Sequence, residues 1–276
     1  MPLSDTDLDY VRGLVLDHSA IVLERSKAYL VESRLTPLAT RLGFGSLPEF
    51  VGKLRREAVN GTHRMVVDAM TTNETYFFRD VHPFEALRTK VLPELVAARA
   101  RERTLRIWCG ACSTGQEPYS LSMLLREHFA TLSTWQVSIL CTDLSRDVLA
   151  RAKTGTYTQL EVNRGLPAQL LVKNFVREGD LWRVRDELRG RLQFQELNLA
   201  KPFPPLPRFD LVMLRNVLIY FDTETKKGIL SRIRRVLAPD GVLFLGAAET
   251  TLNLDEAFES VSVGRTVCYR LKPAPG

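Results

Sequence analysis

Apolar residues in the first part of the chain recur every three or four positions, which is the spacing of amphipathic helices. A first helix is predicted from Ser4, and a second over roughly 26–42, where Pro37 either kinks the helix or restarts it. Ser46 begins a third helix, and 63–71 forms a fourth. The pattern therefore predicts a small helical bundle at the start of the chain.

After this N-terminal helical domain, bounded at residues 1–80, the pattern predicts a linker helix over 81–103. An apolar run at Leu105–Trp108 then indicates a buried strand, and the small residues of 109–115 form a loop. Pro118 lies in the first turn of the following helix, where its missing N–H group has no intrahelical partner to lose. Strand, loop and helix are typical of the first unit of a nucleotide-type α/β domain, although an ordinary βα turn is the alternative.

The same alternation continues through residues 104–276 and predicts an α/β fold with a doubly wound sheet. Gly179-Asp180 is a two-residue hairpin signal, so we interpret about 155–190 as an inserted β-hairpin subdomain. The predicted sheet strands after the loop are 137–143, 192–199, 209–216 and 242–246, the hairpin strands are 171–177 and 181–185, and an antiparallel pair closes the sheet over 261–271.

Composition changes this picture little. The 276 residues are 45% hydrophobic and 25% charged, as in an ordinary soluble protein. No apolar run approaches the roughly 18 residues that span a bilayer. The N-terminus lacks a signal-peptide pattern, so we expect a cytoplasmic location. The net charge of +6 permits an acidic partner without demanding nucleic acid, which we do not expect.

The four cysteines do not resemble a disulfide framework. Cys109 and Cys112 match C-x-x-C, a spacing found in zinc and redox sites. Zinc would need two further ligands, and neither a second such pair nor a paired-histidine spacing occurs. We therefore expect small residues lining a ligand loop and no metal, with redox or metal chemistry as the alternative.

The candidate ligand is a nucleotide-like cofactor. No G-K-[ST] follows the loop, which argues against a phosphate-binding loop, and the G-x-G-x-x-G spacing of nicotinamide sites is absent. Asp143 ends the second strand, where such an acid accepts hydrogen bonds from ribose hydroxyls, although capping of the next helix is an equal alternative. S-adenosylmethionine fits better, with Asp143 and Asn198 holding its adenosine and a cation its carboxylate.

Three motifs then make a resemblance specific. Residues 72–79 read Thr-Asn-Glu-Thr-Tyr-Phe-Phe-Arg, 113–120 read Ser-Thr-Gly-Gln-Glu-Pro-Tyr-Ser, and 215–222 read Arg-Asn-Val-Leu-Ile-Tyr-Phe-Asp. In this order they resemble the CheR family of chemoreceptor glutamate methyltransferases, over nearly the whole chain. The resemblance implies S-adenosylmethionine-dependent methyl esterification of glutamate side chains on the cytoplasmic helices of bacterial chemoreceptors, with S-adenosylhomocysteine as product.

The same resemblance implies which residues line the cofactor site: Asn73, Thr75, Arg79, Glu117, Asp143, Asn198, Leu199, Arg215 and Asn216. Arg79 would pair with the methionyl carboxylate, and Glu117 would face the methionyl ammonium unless it only complements its helix dipole. Tyr220, four positions after Asn216, matches the family's active-site pattern and would shape the methyl-transfer pocket, with burial in the core as the alternative. Arg99 of the linker helix is our candidate for orienting the incoming carboxylate, with Arg88, Arg101 and Arg103 of the same helix as alternatives.

Lys27, Arg34 and Arg41 fall seven residues apart, on one face of the second helix if that helix is continuous. From charge alone a solvated face is the better interpretation. Receptor methylation helices present acidic side chains, so the resemblance favours docking of these basic residues on the receptor.

The sequence departs from part of the family in the inserted subdomain. Some members use it to bind a peptide at the receptor's C-terminal tail and carry a longer glycine-bearing loop between the hairpin strands. Glu178–Leu181 leaves room here only for a tight turn. We therefore expect no tail tether. The rival functions are a non-catalytic sensor of S-adenosylmethionine, and a methyltransferase acting on another acidic protein or on a small molecule.

Overall fold

The computed structural model describes residues 3–273. Contacts between Cα atoms divide the chain into two compact units. The first ends at Thr72 and also includes Tyr220–Thr225, and the second comprises Asn73–Ile219 and the chain from Lys226 onward. The first unit thus ends eight residues before the expected domain boundary at residue 80 and includes a segment distant in sequence.

The first unit is helical, as the apolar spacing predicts. Ser4 and Ser46 cap their helices, since each hydroxyl accepts a hydrogen bond from a first-turn N–H group. The second helix starts at Ala28 and continues through Pro37 without a break, after a 3₁₀ turn at Arg25–Lys27. The helices are α1 Asp5–Ser19, α2 Ala28–Arg41, α3 Leu47–Leu54 and α4 Gly61–Met70.

The linker region is helical but ends earlier than predicted. The helix begins as α5 at His82–Ala86, passes through a π-helical turn at Leu87–Val91, and ends as α6 at Leu92–Ala98. Pro93 cannot donate to the carbonyl one turn earlier, which accounts for the irregular hydrogen bonding before it. The prediction that this helix reaches residue 103 is wrong, because Arg103 turns with a φ of +51° into the first strand.

The rest of the second unit alternates strands and helices. The strands are β1 Thr104–Gly110, β2 Gln136–Asp143, β3 Thr156–Thr158, β4 Phe175–Glu178, β5 Leu181–Val184, β6 Leu192–Glu196, β7 Phe209–Leu214, β8 Leu237–Leu245, β9 Phe258–Val263 and β10 Thr266–Leu271. The helices are α7 Gln116–His128, α8 Arg146–Thr154, α9 Gln159–Asn163, α10 Ala168–Asn174, α11 Asp186–Arg189 and α12 Thr223–Val236, with 3₁₀ turns at Ala130–Thr134 and Leu218–Tyr220.

Within the described residues, a seven-stranded sheet has the order β6-β2-β1-β7-β8-β10-β9. The first five strands in this order are parallel, and β10 pairs antiparallel with both β8 and β9. The chain reverses its direction across the sheet between β1 and β7, so their carboxyl ends form the switch point where α/β sheets bind ligands. The doubly wound α/β fold expected from the sequence is confirmed.

The insertion is larger than a hairpin. In the described chain, β3, β5 and β4 form a three-stranded antiparallel sheet. The predicted tight turn joins β4 to β5, with Gly179 at a φ of +62°. The strand predicted over 171–177 is wrong in its first half, since residues 168–174 form α10. Asn174 stabilises the end of this helix by donating to the Leu170 carbonyl, and the strand starts only at Phe175.

Candidate active site

The loop after β1 has a fixed backbone. Ala111 and Ser113 have φ values of +52° and +50°, and Gly115 has one of +95°. A Cβ atom on Gly115 would lie 3.0 Å from the Tyr157 hydroxyl, which itself donates to the Thr114 carbonyl at 2.8 Å. Glycine is therefore required here by both conformation and space, and the insertion holds the loop through Tyr157.

Asp143, at the end of β2, is buried next to this loop. One carboxylate oxygen accepts from the Ser113 N–H group at 2.9 Å and the other from the Ser145 N–H group at 3.0 Å. Burial raises the pKa of the Asp143 carboxyl, and the backbone N–H groups oppose that shift. Asp143 thus joins the loop after β1 to its own loop, and its carboxylate can still accept a hydrogen bond from a ligand.

Asn198 and Leu199 follow β6, which is the neighbour of β2. The N–H group of Leu197 donates to the Asp143 carbonyl at 2.9 Å, so the Asn198 segment lies beside the buried acid. The Asn198 side-chain oxygen accepts from the Ala200 N–H group at 2.9 Å, and Leu199 is buried. The structure therefore brings this predicted pair to the same edge as Asp143.

Arg215, directly after β7, is the most buried of the predicted charged residues, with 1% of its side chain exposed. Its guanidinium binds the Glu117 carboxylate at 2.6 Å, the Asp80 carboxylate at 2.7 Å and the Arg79 carbonyl at 2.9 Å. Its Nε atom finds no acceptor among the described residues. Glu117 thus binds a protein cation, a partner that the sequence did not predict, and Arg215 ties α7 to the 73–80 segment.

The 73–80 segment crosses the carboxyl edge of the sheet. The Asn73 carbonyl accepts from the Ser113 hydroxyl at 2.8 Å, and the Phe78 N–H group donates to the Ser120 hydroxyl at 2.9 Å. Arg79 donates to the Glu74 carbonyl at 2.8 Å. Asn73 and Thr75 line a cavity of about 890 Å³ together with Thr114 and Gln116, and other sides of it come from the insertion and α8.

Asn216 has a φ of +59°, and its side-chain Oδ1 is buried without a partner among the described residues. Its N–H group donates to the Glu249 carboxylate at 2.8 Å. Glu249 is a buried residue that the sequence analysis missed, and it follows β8 at the same edge. An acid three residues after the glycine that ends a parallel strand was the signal available, and alone it is weak.

Two predicted roles look different in the structure. Arg99 lies at the opposite edge of the sheet, where it binds Asp210 at 2.7 Å and Asp240 at 2.5 Å. The structure therefore gives no support to Arg99 as the residue that orients a substrate. Tyr220 belongs by its contacts to the first unit, where its carbonyl accepts from the Val22 N–H group at 3.0 Å.

The predicted basic face is uneven. Arg34 is half-buried and donates to the carbonyls of Met70 and Thr71 and to the hydroxyl of Thr72, at 2.8, 3.1 and 3.0 Å. It thereby caps the carboxyl end of α4. Lys27 and Arg41 are exposed, and Lys27 lies in the 3₁₀ turn before α2.

The cysteines show no sign of reactivity. Within residues 3–273 all four are unpaired and buried. Burial raises the pKa of the Cys109, Cys112 and Cys141 thiols, which opposes formation of the reactive thiolate. The described residues contain no group of three or more histidine, cysteine or acidic side chains placed to hold a metal ion. None of the helices within residues 3–273 is long and apolar enough to cross a membrane.

The carboxyl ends of β1, β2, β6, β7 and β8 thus carry a glycine-bearing loop, a buried acid, an amide, an arginine–asparagine pair and a second buried acid. A doubly wound sheet with polar and buried charged groups at its switch point is typical of a nucleotide-type α/β domain.

Comparison with known proteins gives the family. Residues 73–267 match the model "CheR methyltransferase, SAM binding domain", and 6–71 match "CheR methyltransferase, all-alpha domain". The chain belongs to the CheR methyltransferase family, as the three motifs predict.

Relatives align along the full chain. Chemotaxis protein methyltransferase 1 of Pseudomonas aeruginosa is 44% identical, covering 99% of this chain and 100% of that protein. Chemotaxis protein methyltransferase Cher2 of Pseudomonas putida is 40% identical over the same shares. The chemotaxis protein methyltransferase of Vibrio parahaemolyticus is 39% identical, covering 98% of each chain. This protein is therefore an S-adenosylmethionine-dependent methyltransferase of chemotaxis.

Proposed function

We propose that this enzyme transfers the methyl group of S-adenosylmethionine to glutamate side chains on the cytoplasmic helices of chemoreceptors. The product is a glutamate methyl ester together with S-adenosylhomocysteine. The observation that carries the proposal is the 44% identity to a chemotaxis protein methyltransferase across 99% of the chain. A cytoplasmic location follows from this substrate.

The cofactor is held in this proposal by the residues of the carboxyl edge. The buried Asn216 Oδ1 atom, without a protein donor among the described residues, fits a ligand that brings an N–H group. Asp143 accepts the ribose hydroxyls, Asn198 and Leu199 contact the adenine, and Asn73 and Thr75 line the approach. Arg79 binds the methionyl carboxylate. Glu117 stays paired with Arg215 and contributes its second oxygen to the methionyl ammonium.

The reaction requires little proton transfer by the protein. A glutamate carboxyl has an ordinary pKa of about 4.3, so the substrate is ionised at neutral pH and needs no general base. The bound cofactor supplies an electrophilic methyl group, and the carboxylate oxygen attacks it in line. Positioning and control of charge therefore provide most of the rate enhancement. Tyr220 shapes the pocket in which the carboxylate approaches.

The receptor docks on Lys27, Arg34 and Arg41. Lys27 and Arg41 are exposed and complement acidic receptor helices, while Arg34 acts mainly by fixing the end of α4. The tight turn between β4 and β5 lacks a flanking loop, so recognition proceeds without a tail tether.

The direct experiment incubates the enzyme with labelled S-adenosylmethionine and a receptor cytoplasmic fragment, and measures base-labile label on glutamate. A fragment whose methylatable glutamates are changed to alanine is the matched control. Label that survives base, or that appears equally on the control, contradicts the proposal. Removal of the last residues of a full-length receptor is expected to leave the rate unchanged, and a clear loss would show that a tail tether exists.

A further inference from the structure

The carboxylate of Glu249 is a buried hub at the carboxyl edge of the sheet, with 8% of the residue exposed. Oε1 accepts from the N–H groups of Leu218 and Ile219 at 2.7 and 3.3 Å. Oε2 accepts from the N–H groups of Asn216 and Gly246 at 2.8 and 2.6 Å. Both oxygens are thus saturated by backbone donors, three of which belong to the single loop after β7.

The backbone of the loop after β7 has little regular secondary structure to fix its conformation. Asn216 has a left-handed φ of +59°, a conformation that asparagine adopts more readily than most residues with a side chain. The segment that follows contributes no strand pairing, and Leu218–Tyr220 forms only a 3₁₀ turn. Hydrogen bonds from the backbone N–H groups to the Glu249 carboxylate therefore replace the regular pairing that would otherwise fix these residues.

The Glu249 carboxylate is also tightly packed against the end of β8. A Cβ atom on Gly246 would lie 2.8 Å from the Glu249 Oε2 atom and 2.7 Å from the Asn216 side-chain nitrogen. Glycine at 246 therefore lets the carboxylate and Asn216 approach the end of β8 together. The Tyr269 hydroxyl donates to the Glu249 carbonyl at 3.3 Å and restrains the backbone from the antiparallel strand β10.

We propose that Glu249 is a positioning residue for methyl transfer, which sets the loop Arg215–Ile219 and thereby the cofactor contact of Asn216. The inference rests on the proposed function. A carboxylate is specifically required, because glutamine would turn an N–H donor toward one pair of backbone donors whichever way its amide is oriented. Aspartate is shorter by one methylene and does not reach both pairs at once.

The chain offers a matched control in Asp210, a buried carboxylate at the amino end of β7. It accepts from the Arg106 N–H group at 2.8 Å and binds Arg99 at 2.7 Å. Both acids are buried and both bind backbone, but Asp210 lies at the edge opposite the candidate site. Asp210→Asn therefore measures what loss of a buried structural carboxylate does without disturbing the loop after β7.

The test compares Glu249→Gln with Asp210→Asn in the full-length enzyme. Glu249→Gln is expected to lower kcat and the affinity for S-adenosylhomocysteine by about 10- to 100-fold at a temperature where both variants are folded. Its KM for the receptor fragment stays near the wild-type value. Backbone amides of Asn216, Leu218, Ile219 and Gly246 exchange hydrogen faster in this variant. Asp210→Asn lowers the melting temperature but preserves kcat, cofactor affinity and protection of these amides.

If Glu249→Gln does not fold, Glu249→Asp is measured in its place, since the shorter carboxylate cannot reach both pairs of backbone donors at once. The proposal is overturned if the variant keeps normal kcat and product affinity, or if its losses only match those of Asp210→Asn. A wild type that binds S-adenosylhomocysteine without methylating receptor would refute the proposed function instead. Amide exchange and product affinity then still decide whether Glu249 sets the loop.

Discussion

The two ends of strand β7 each hold an arginine between two carboxylates, and they behave differently. At the amino end, Arg99 binds Asp210 and Asp240 through all three of its nitrogens. At the carboxyl end, Arg215 binds Glu117 and Asp80, but its Nε atom has no acceptor in the described part of the chain. Arg99 retains 19% of its side-chain exposure, whereas Arg215 retains 1%.

This difference indicates that Arg99 stabilises the fold, whereas Arg215 belongs to the candidate site. At the partly exposed amino end, each Arg99 nitrogen has a carboxylate acceptor, and solvent can reach the remaining N–H groups. At the other edge, Arg215 and Asn216 leave buried polar atoms unsatisfied, which costs free energy unless a ligand supplies the partner. The same residue types thus indicate function by what remains unpaired after folding.

The strongest test of this difference is to replace Arg215 and Arg99 in turn. Arg215→Met leaves Glu117 and Asp80 without their buried cation and is expected to lower the free energy of unfolding by about 3–5 kcal/mol. It should also abolish detectable binding of S-adenosylhomocysteine, because the 73–80 segment and α7 lose their common tie. Denaturant unfolding and calorimetric titration measure the two effects.

Arg99→Met is the matched control at the amino end. It should lower stability while product affinity and methyl transfer stay at wild-type levels below the melting temperature. Equal losses of cofactor affinity in both variants would show that the contrast between the two ends is unfounded.

The next effect is expected at Asp143. Asp143→Ala removes an acceptor that serves both loops and, in the proposed function, the ribose. Affinity for S-adenosylmethionine and S-adenosylhomocysteine should fall together by about 10- to 150-fold, since ribose contacts do not distinguish them. Calorimetry on a folded variant that shows unchanged affinity would leave Asp143 with a purely structural role.

Sequence patterns predicted the elements that depend on periodic apolar burial. The helices α1 to α4, the strands of the large sheet and the tight turn at Gly179 follow directly from spacing and turn chemistry. Errors arose where local signals compete. The apolar residues before Phe175 suit a strand as well as a helix, and only their tertiary surroundings select α10.

The sequence named candidate residues for the site but not the contacts between them. Family motifs pointed to Glu117, Arg79 and Arg215 as candidates, yet nothing in the sequence indicated that Glu117 and Arg215 bind each other at 2.6 Å. Glu249 lies 33 residues from Asn216, and such a long-range backbone contact has no local signature. The sequence likewise contained no sign that Arg99 binds Asp210 and Asp240, because both partners lie far away in sequence.

A smaller effect is expected from surface charges of the first unit, and it extends the comparison to basic residues away from the sheet. Lys27→Glu combined with Arg41→Glu should raise the KM for receptor several-fold by reversing electrostatic steering, with cofactor affinity unchanged. High salt should reduce the difference from wild type, since exposed charges are screened over about 8–10 Å. Arg34→Glu should in addition lower the melting temperature, because Arg34 caps α4.

Steady-state kinetics at low and high salt separate these outcomes. Normal receptor KM in the double variant at low salt would mean that Lys27 and Arg41 are only solvated surface. Unchanged stability of Arg34→Glu would contradict its capping role.

The smallest expected effect is on the pH dependence of stability. It compares Asp240, at the amino edge of the sheet, with Asp143, at the carboxyl edge. Arg99 holds the pKa of Asp240 below its ordinary value, whereas burial raises the pKa of Asp143. The Asp240 ion pair therefore contributes stability that is complete above the ordinary aspartate pKa of about 3.9 and is lost as pH falls through the lowered pKa. For Asp143 the sign is opposite: stability falls as pH rises from about 3.9 through the raised pKa, because the folded state disfavours the ionised form. The Asp240 side chain is 48% exposed, so solvent screens its pair and the effect is slight.

Melting temperatures measured from neutral to acidic pH should show that the loss of stability caused by Asp240→Asn shrinks as pH falls. The difference between Asp143→Asn and wild type should move the other way, toward greater relative stability of the wild type in acid. If the melting-temperature differences of both variants from wild type changed with pH in the same way, the two edges would not differ in whether they favour the ionised or the protonated carboxyl.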